Sequence, residues 1–182
     1  MEKAPLGYAA KIRAKIETLL ESHYRENFER WLETERIVCK PYFRLRPSIH
    51  PATYTDIYAR SLYAAEDGDM NKLEQKLIVE LTALPNVRWW HRKIARQDFA
   101  INGFIKHYPD ILIMTQSGKI ICAETKGEHL KNDDSREKIA LGQAWRTAAG
   151  KDFRYYMVFE NEENLLPGAV SMSQFIDTIK AL

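Results

Sequence analysis

Two carboxylates and an ammonium group occur at a spacing that suits metal-assisted chemistry on a phosphate. Asp110 precedes one apolar run, residues 111–114, and Glu124 and Lys126 close a second, with a Thr-Gln-Ser-Gly turn at 115–118 between them. This pattern predicts a β-hairpin. Alternate residues of a strand share a face, so Glu124 and Lys126 should project together, and Asp110 should reach the same place from the partner strand. A divalent cation bound with a phosphate would relieve the repulsion between the carboxylates.

A surface ion pair is the competing interpretation, because 29% of the residues are charged and such triplets arise by accident. A second acid-x-lysine triplet, Glu74-Gln75-Lys76, lies in a helical pattern. Residues two apart on a helix do not face each other, so that triplet does not predict the same site.

Length and composition indicate an ordered globular protein. The chain has 182 residues, of which 45% are hydrophobic, with a net charge of only +2. This predicts one domain with an appendage rather than a disordered chain. The segment from residue 88 to 107 is locally basic and suits a polyphosphate ligand, although a solvated basic surface is the alternative. The cations predicted to contact such a ligand, which would be DNA under the resemblance described below, are Arg88, Arg92, Lys93, Arg96 and Lys106.

Cys39 and Cys122 lack the spacing of zinc ligands, and we expect Cys122 to pack as a small apolar residue. No secretory signal and no apolar run long enough for a membrane span occurs. We therefore expect a cytoplasmic protein with no membrane partner.

Helical spacing predicts a long first helix over residues 11–34, and prolines interrupt regular structure between residues 39 and 55. A second helix is predicted over residues 56–65. The acidic, glycine-containing cluster at 66–69 suggests a boundary, which gives an N-terminal helical extension, 1–68, and a core domain, 69–182.

The core pattern predicts a helix at 70–84, a strand at 87–91 and the hairpin at 111–123, with a loop or further strand at 94–104. A helix follows that ends at residue 149, with Asp134 predicted as its N-cap and Glu137 closing a capping box. A strand at 153–159 and a terminal helix from residue 173 complete the chain. This order predicts an α/β fold, a mixed sheet flanked by helices.

The motif Pro109-Asp110 followed by Glu124-Thr125-Lys126, with these flanking elements, resembles the PD-(D/E)xK nuclease superfamily. The surrounding segments at 71–74, 87–90, 108–110 and 153–159 resemble the C-terminal endonuclease region of type III restriction enzymes, and the resemblance covers about residues 61–161. It implies a restriction-endonuclease-like αβββαβ core and a Mg²⁺-dependent DNA endonuclease, with Mn²⁺ as a substitute metal.

The resemblance also implies residue roles. Asp110, Glu124 and the backbone carbonyl of Thr125 would bind the metal, and Lys126 would orient the attacking water. Two further residues carry over as catalytic candidates, Glu74 from the first core helix, with Glu80 competing, and Gln143 from the helix after the motif. Surface charge on the helix, and a solvent-facing glutamine, are the alternatives.

The implied partners are double-stranded DNA, a helicase motor region and a methyltransferase subunit. No G-x-x-x-x-G-K-[ST] phosphate loop occurs, so we predict no ATP site in this chain. Two other functions stay open. One is a non-catalytic DNA-binding or scaffold domain with a nuclease-like fold, and the other is an interaction module whose N-terminal helices form a homo-oligomer.

Overall fold

The computed structural model describes residues 5–41, 45–94 and 97–182. The chain divides into two compact units, Met1–Val38 and Cys39–Leu182. The first unit contains helix α1 (Pro5–Glu33), which begins earlier than predicted. The predicted boundary lies later, after residue 68.

The second unit is built on a five-stranded sheet. Its strands lie in the order β1 (Val87–Arg92), β4 (Ile111–Thr115), β5 (Ile120–Lys126), β6 (Phe153–Phe159) and β7 (Val170–Ser171). The first three strands are antiparallel, and β5, β6 and β7 are parallel, so the sheet is mixed. Two short strands, β2 (Ile101–Asn102) and β3 (Lys106–His107), pair separately. The predicted α/β class with a mixed sheet is confirmed.

Helices cover the sheet. Helices α2 (Lys72–Ala83) and α4 (Met172–Lys180) share a core with alternate residues of β4 and β5, among them Ile111 and Ile121. Helix α3 (Asp133–Ala149) packs against β6, and a short 3-10 helix (Glu128–Leu130) follows β5. Among the described residues, none of the helices combines the length and the apolar character needed to cross a bilayer.

The prediction of a helix over residues 56–65 is wrong. This segment runs alongside β1, where Ser61 forms a parallel bridge with Trp90, and Trp90 donates its backbone N–H to Arg60. The indole nitrogen of Trp90 also donates to the carbonyl of Ala59 at 3.0 Å. These bonds to a fully buried strand residue outweigh the weak helix propensity of the segment.

The predicted cap of α3 is also wrong. The helix begins after Asn132, whose side-chain oxygen accepts the backbone N–H of Ser135 at 3.1 Å. Asn and Asp are similarly good caps, and the run Asn132-Asp133-Asp134 offers three of them. The prediction that Gly150 ends this helix is confirmed.

Candidate functional site

A cleft of about 310 Å³ lies where the end of β5 meets the start of α2. It contains three of the predicted site residues that carry charge, Glu74, Asp110 and Lys126. The residues that line it are Asn71, Leu73, Glu74, Asp110, Thr125, Lys126, Gly127, His129 and Leu130.

Asp110 is fixed by the strand beside it. The antiparallel register pairs Ile111 with Ala123, and one step further it brings Asp110 level with Glu124. The Oδ2 atom of Asp110 accepts the backbone N–H of Thr125 at 2.8 Å and the hydroxyl of Thr125 at 3.1 Å. Because both donors belong to β5, the Asp110 carboxyl group is held against the strand that carries Glu124.

Glu124 and Lys126 project to the same side of β5, as predicted. Nζ of Lys126 lies 2.7 Å from Oε1 of Glu124. Glu124 is only 3% exposed. Its other oxygen, Oε2, is one of the buried polar atoms that have no hydrogen-bond partner among the described residues. A buried carboxylate oxygen without a partner is costly, so this atom marks a place where a ligand would be stabilised.

The burial of Glu124 also changes its pKa. Burial and the repulsion from Asp110 raise the pKa of Glu124 to about 8, although the Lys126 ammonium acts in the opposite direction. Burial opposes the charge on Lys126, but the Glu124 carboxylate outweighs it and raises the pKa of Lys126. A cation at Glu124 would favour the ionised carboxylate.

Glu74 reaches the cleft from α2. It is the third residue of that helix and closes its capping box, and its Oε2 accepts the backbone N–H of Asn71 at 2.9 Å. Arg92 lies 3.2 Å from its other oxygen. Burial and the repulsion from Asp110 raise the pKa of Glu74, and Arg92 limits the rise. Asp110 therefore interacts with both Glu74 and Glu124.

Glu80, the competing candidate on α2, is exposed and lines a different groove together with Glu160 and Asp177. Gln143 also lies elsewhere. Its side chain is directed to the turn at Gly168, 3.4 Å from the carbonyl oxygen of that residue, and it does not line the cleft. Of the three helix residues considered, Glu74, Glu80 and Gln143, only Glu74 lines the cleft with Asp110.

The donor set suits a hard cation. Among the described residues, no group of three or more His, Cys, Asp or Glu side chains is arranged to hold a metal ion. Mg²⁺, however, is commonly held by one or two carboxylates, with waters and phosphate oxygens completing its shell. Asp110 lines the cleft. Glu124 is buried and does not line it, but it lies level with Asp110 on β5 and has one oxygen without a hydrogen-bond partner among the described residues. These two carboxylates are compatible with Mg²⁺.

Lys93 lies on the same rung of the sheet. Its backbone N–H donates to the carbonyl of Asp110 at 2.8 Å, one step beyond the last paired residues of β1 and β4. The side chain is 2% exposed, its ammonium donates to the carbonyl of Phe99, and it lies 4.4 Å from the centre of that ring. Burial lowers the pKa of Lys93 to about 8, and nearby acidic groups, Glu124 and Asp110 among them, limit the fall.

His107 is a further neighbour of Glu124 that its spacing did not single out as a site residue. Its Nε2 lies 3.9 Å from Oε2 of Glu124 and 3.0 Å from the hydroxyl of Tyr155. Burial, followed by Lys138, Lys126 and other lysines, lowers the pKa of His107 to about 3, so the imidazole is neutral. Its contact with Glu124 depends on how β3, which pairs with β2, packs beside β5 and β6, which residue spacing does not reveal.

The basic segment does not form one surface. Arg88 and Lys106 are exposed, whereas Arg92 is bound to Glu74 and Lys93 is buried, so Lys93 is not available as a surface contact for DNA. Its ammonium contacts the carbonyl and the ring of Phe99 instead. The predicted contact Arg96 lies outside the described residues.

No protein-family model, curated protein or solved structure matches this chain.

Proposed function

We propose that this chain is a Mg²⁺-dependent DNA endonuclease with a restriction-endonuclease-like core, related to the nuclease portion of type III restriction enzymes. The observation that carries the proposal is the pair of carboxyl groups of Asp110 and Glu124, which lie level on neighbouring strands and repel each other, at the end of the strand that also carries Lys126. The element order supports it as well. Helix α2, strands β1, β4 and β5, helix α3 and strand β6 follow the order αβββαβ when the short β2–β3 pair is taken as an insertion.

Asp110, Glu124 and the backbone carbonyl of Thr125 would hold the metal. When bound, Mg²⁺ supplies Lewis acidity for the scissile phosphate and acidifies a water molecule. Lys126 is kept charged by its neighbour Glu124, so it can orient the water and stabilise the negative charge that develops on the phosphate. Glu74 adds negative charge near Asp110, and Arg92 holds it in place.

Cleavage of supercoiled plasmid tests the proposal. The wild-type protein should nick or linearise the plasmid with Mg²⁺ or Mn²⁺ and should not do so with EDTA. We expect Lys126→Ala to slow cleavage by at least about 100-fold, since one preorganised charge contributes on that scale. Lys119→Ala is the matched control, because Lys119 lies just before the same strand but is bound to Asp152 and does not line the cleft.

Equal rates for wild type and Lys126→Ala would rule the mechanism out. Absence of cleavage by the wild-type protein at every metal concentration, combined with DNA binding, would instead support the non-catalytic alternative.

Substitutions of Glu74 and Glu80, both on α2, distinguish a role in the cleft from a general effect of losing negative charge on the helix. Glu74→Gln should reduce the cleavage rate, whereas Glu80→Gln, on the exposed part of the same helix, should leave it unchanged. A larger loss with Glu80→Gln would transfer the role to that residue and contradict the site described here.

A further inference from the structure

Helix α1 exposes a long apolar surface. Its 29 residues extend over roughly 43 Å at 1.5 Å per residue. Seven large apolar side chains on it are between 41% and 70% exposed. They are Tyr8, Ile12, Ile16, Leu19, Leu20, Tyr24 and Trp31.

These seven side chains share one side of the helix. At 100° per residue they fall within about 160° of its circumference, with Tyr8 and Leu19 near one edge and Tyr24 near the other. Their exposed area is of the order of 700 Å², which approaches the roughly 800 Å² per partner of a stable interface. Most helical stability in proteins comes from the packing of such a face, so α1 requires a partner for it.

The charges of α1 indicate which partner. Residues 5–16 contain the cations Lys11, Arg13 and Lys15 and no acid, which gives +3. Residues 17–33 contain five glutamates against two arginines, which gives −3. The helix dipole favours acids near the start of a helix and cations near its end, so the stability of the isolated helix does not explain this distribution.

A second α1 helix running in the opposite direction would cover the apolar side and would also place opposite charges together. We propose that α1 is a dimerisation element that pairs antiparallel with α1 of a second copy, about a two-fold axis near Leu19 and Leu20. The basic half of each helix then lies against the acidic half of the other. Tyr8 comes level with Trp31 of the second copy, and Arg13 with its Glu26. A parallel pair would instead bring like charges together along its whole length.

The isologous arrangement is the commonest form of homo-oligomer, and like charges directly opposed are unfavourable. The proposal is independent of the nuclease activity, because it concerns only the association of the chains.

Sedimentation equilibrium of the full chain tests it. At about 50 µM, above a micromolar dissociation constant, the wild-type protein should have twice the mass of one chain. Leu19→Glu combined with Leu20→Glu should weaken the dimer at least 100-fold. Val79→Glu is the matched control, since Val79 is a 54% exposed apolar residue on α2, and it should leave the dimer intact. A monomeric wild-type protein, or equal loss with Val79→Glu, would overturn the proposal.

Charge reversal tests the direction without removing any apolar side chain. Changing Lys11, Arg13 and Lys15 to glutamate should weaken the dimer at least tenfold, and changing Glu21, Glu26 and Glu29 to lysine should do the same. A chain with both sets reversed should dimerise like the wild type, a recovery that misfolding cannot produce. Unchanged association of the two half-reversed variants, or failure of the doubly reversed chain to recover, would overturn the antiparallel arrangement.

Discussion

The substitution Glu124→Gln isolates the electrostatic cost on which the candidate site depends. Burial and Asp110 raise the pKa of Glu124 from 4.5 to about 8. Between these two pH values the folded protein binds more protons at this residue than the unfolded chain does. The free energy of unfolding of the metal-free protein therefore decreases as the pH rises through this window, and the contribution is constant below and above it.

The size of the effect follows from the shift. Each pKa unit corresponds to about 1.4 kcal/mol, so the full shift gives up to about 5 kcal/mol. We expect about 3 kcal/mol, because Glu124 and Lys126 titrate as a coupled pair. Glutamine does not titrate, so the variant should gain stability relative to wild type by this amount as the pH rises from about 5 to 8.

Urea denaturation in EDTA at several pH values measures this difference. Among the other titrating groups, His107 and Lys93 change the wild-type curve in the opposite sense. The lowered pKa of His107 increases stability as the pH rises from about 3 to 6.5, and that of Lys93 increases it from about 8 to 10.5. Subtracting the variant curve removes the contribution of His107, and the contribution of Lys93, whose pKa Glu124 influences, lies above the window from pH 5 to 8. Glu21→Gln on α1 is the control, because it makes the same Glu-to-Gln change at an exposed position. A difference between wild type and Glu124→Gln that does not change with pH would refute this explanation of the site.

Three other substitutions test the surroundings. Gly142→Ala should lower the free energy of unfolding by about 2 to 3 kcal/mol, because its Cβ would lie 2.1 Å from the ring of Tyr155; a neutral effect in urea denaturation would contradict the close approach of α3 to β6. Lys93→Met should raise stability by about 1 to 3 kcal/mol below pH 8 by removing a buried ammonium, and the gain should shrink above pH 8 as the wild-type lysine loses its charge. Equal gains at pH 7 and 10 would contradict that cause. His91→Gln should cost about 3 kcal/mol, because Glu66 is fully buried and lies 2.6 Å from the imidazole, and adding Glu66→Gln should recover part of the loss. Strictly additive losses would argue against the pair.

Residue periodicity predicted the elements that carry the site. The alternation of the hairpin brought Glu124 and Lys126 to one side of the strand. These features depend on local spacing, which the sequence contains. Periods of two and of 3.6 residues therefore predicted the strands and helices around the site.

The features that the sequence did not predict depend on contacts between residues far apart in the chain. Residues 56–65 have helical spacing but extend along β1, because Trp90 supplies backbone and side-chain partners from about thirty residues away. Lys93 was assigned to a basic surface, and only the register of β1 with Asp110 shows that it lies in the interior. Charge along the chain cannot distinguish a buried ammonium from an exposed one.

The proposed nuclease requires that Asp110 and Glu124 bind one divalent metal together. The most direct test is anomalous diffraction from crystals of the wild-type protein soaked in Mn²⁺. We expect a peak at about 2.1 to 2.3 Å from a carboxylate oxygen of each residue, as for an oxygen-coordinated hard cation. The peak should be lost in Asp110→Asn. A Mn²⁺ peak that contacts neither carboxylate, or no peak when the cleft is open to solvent in the crystal, would contradict the account.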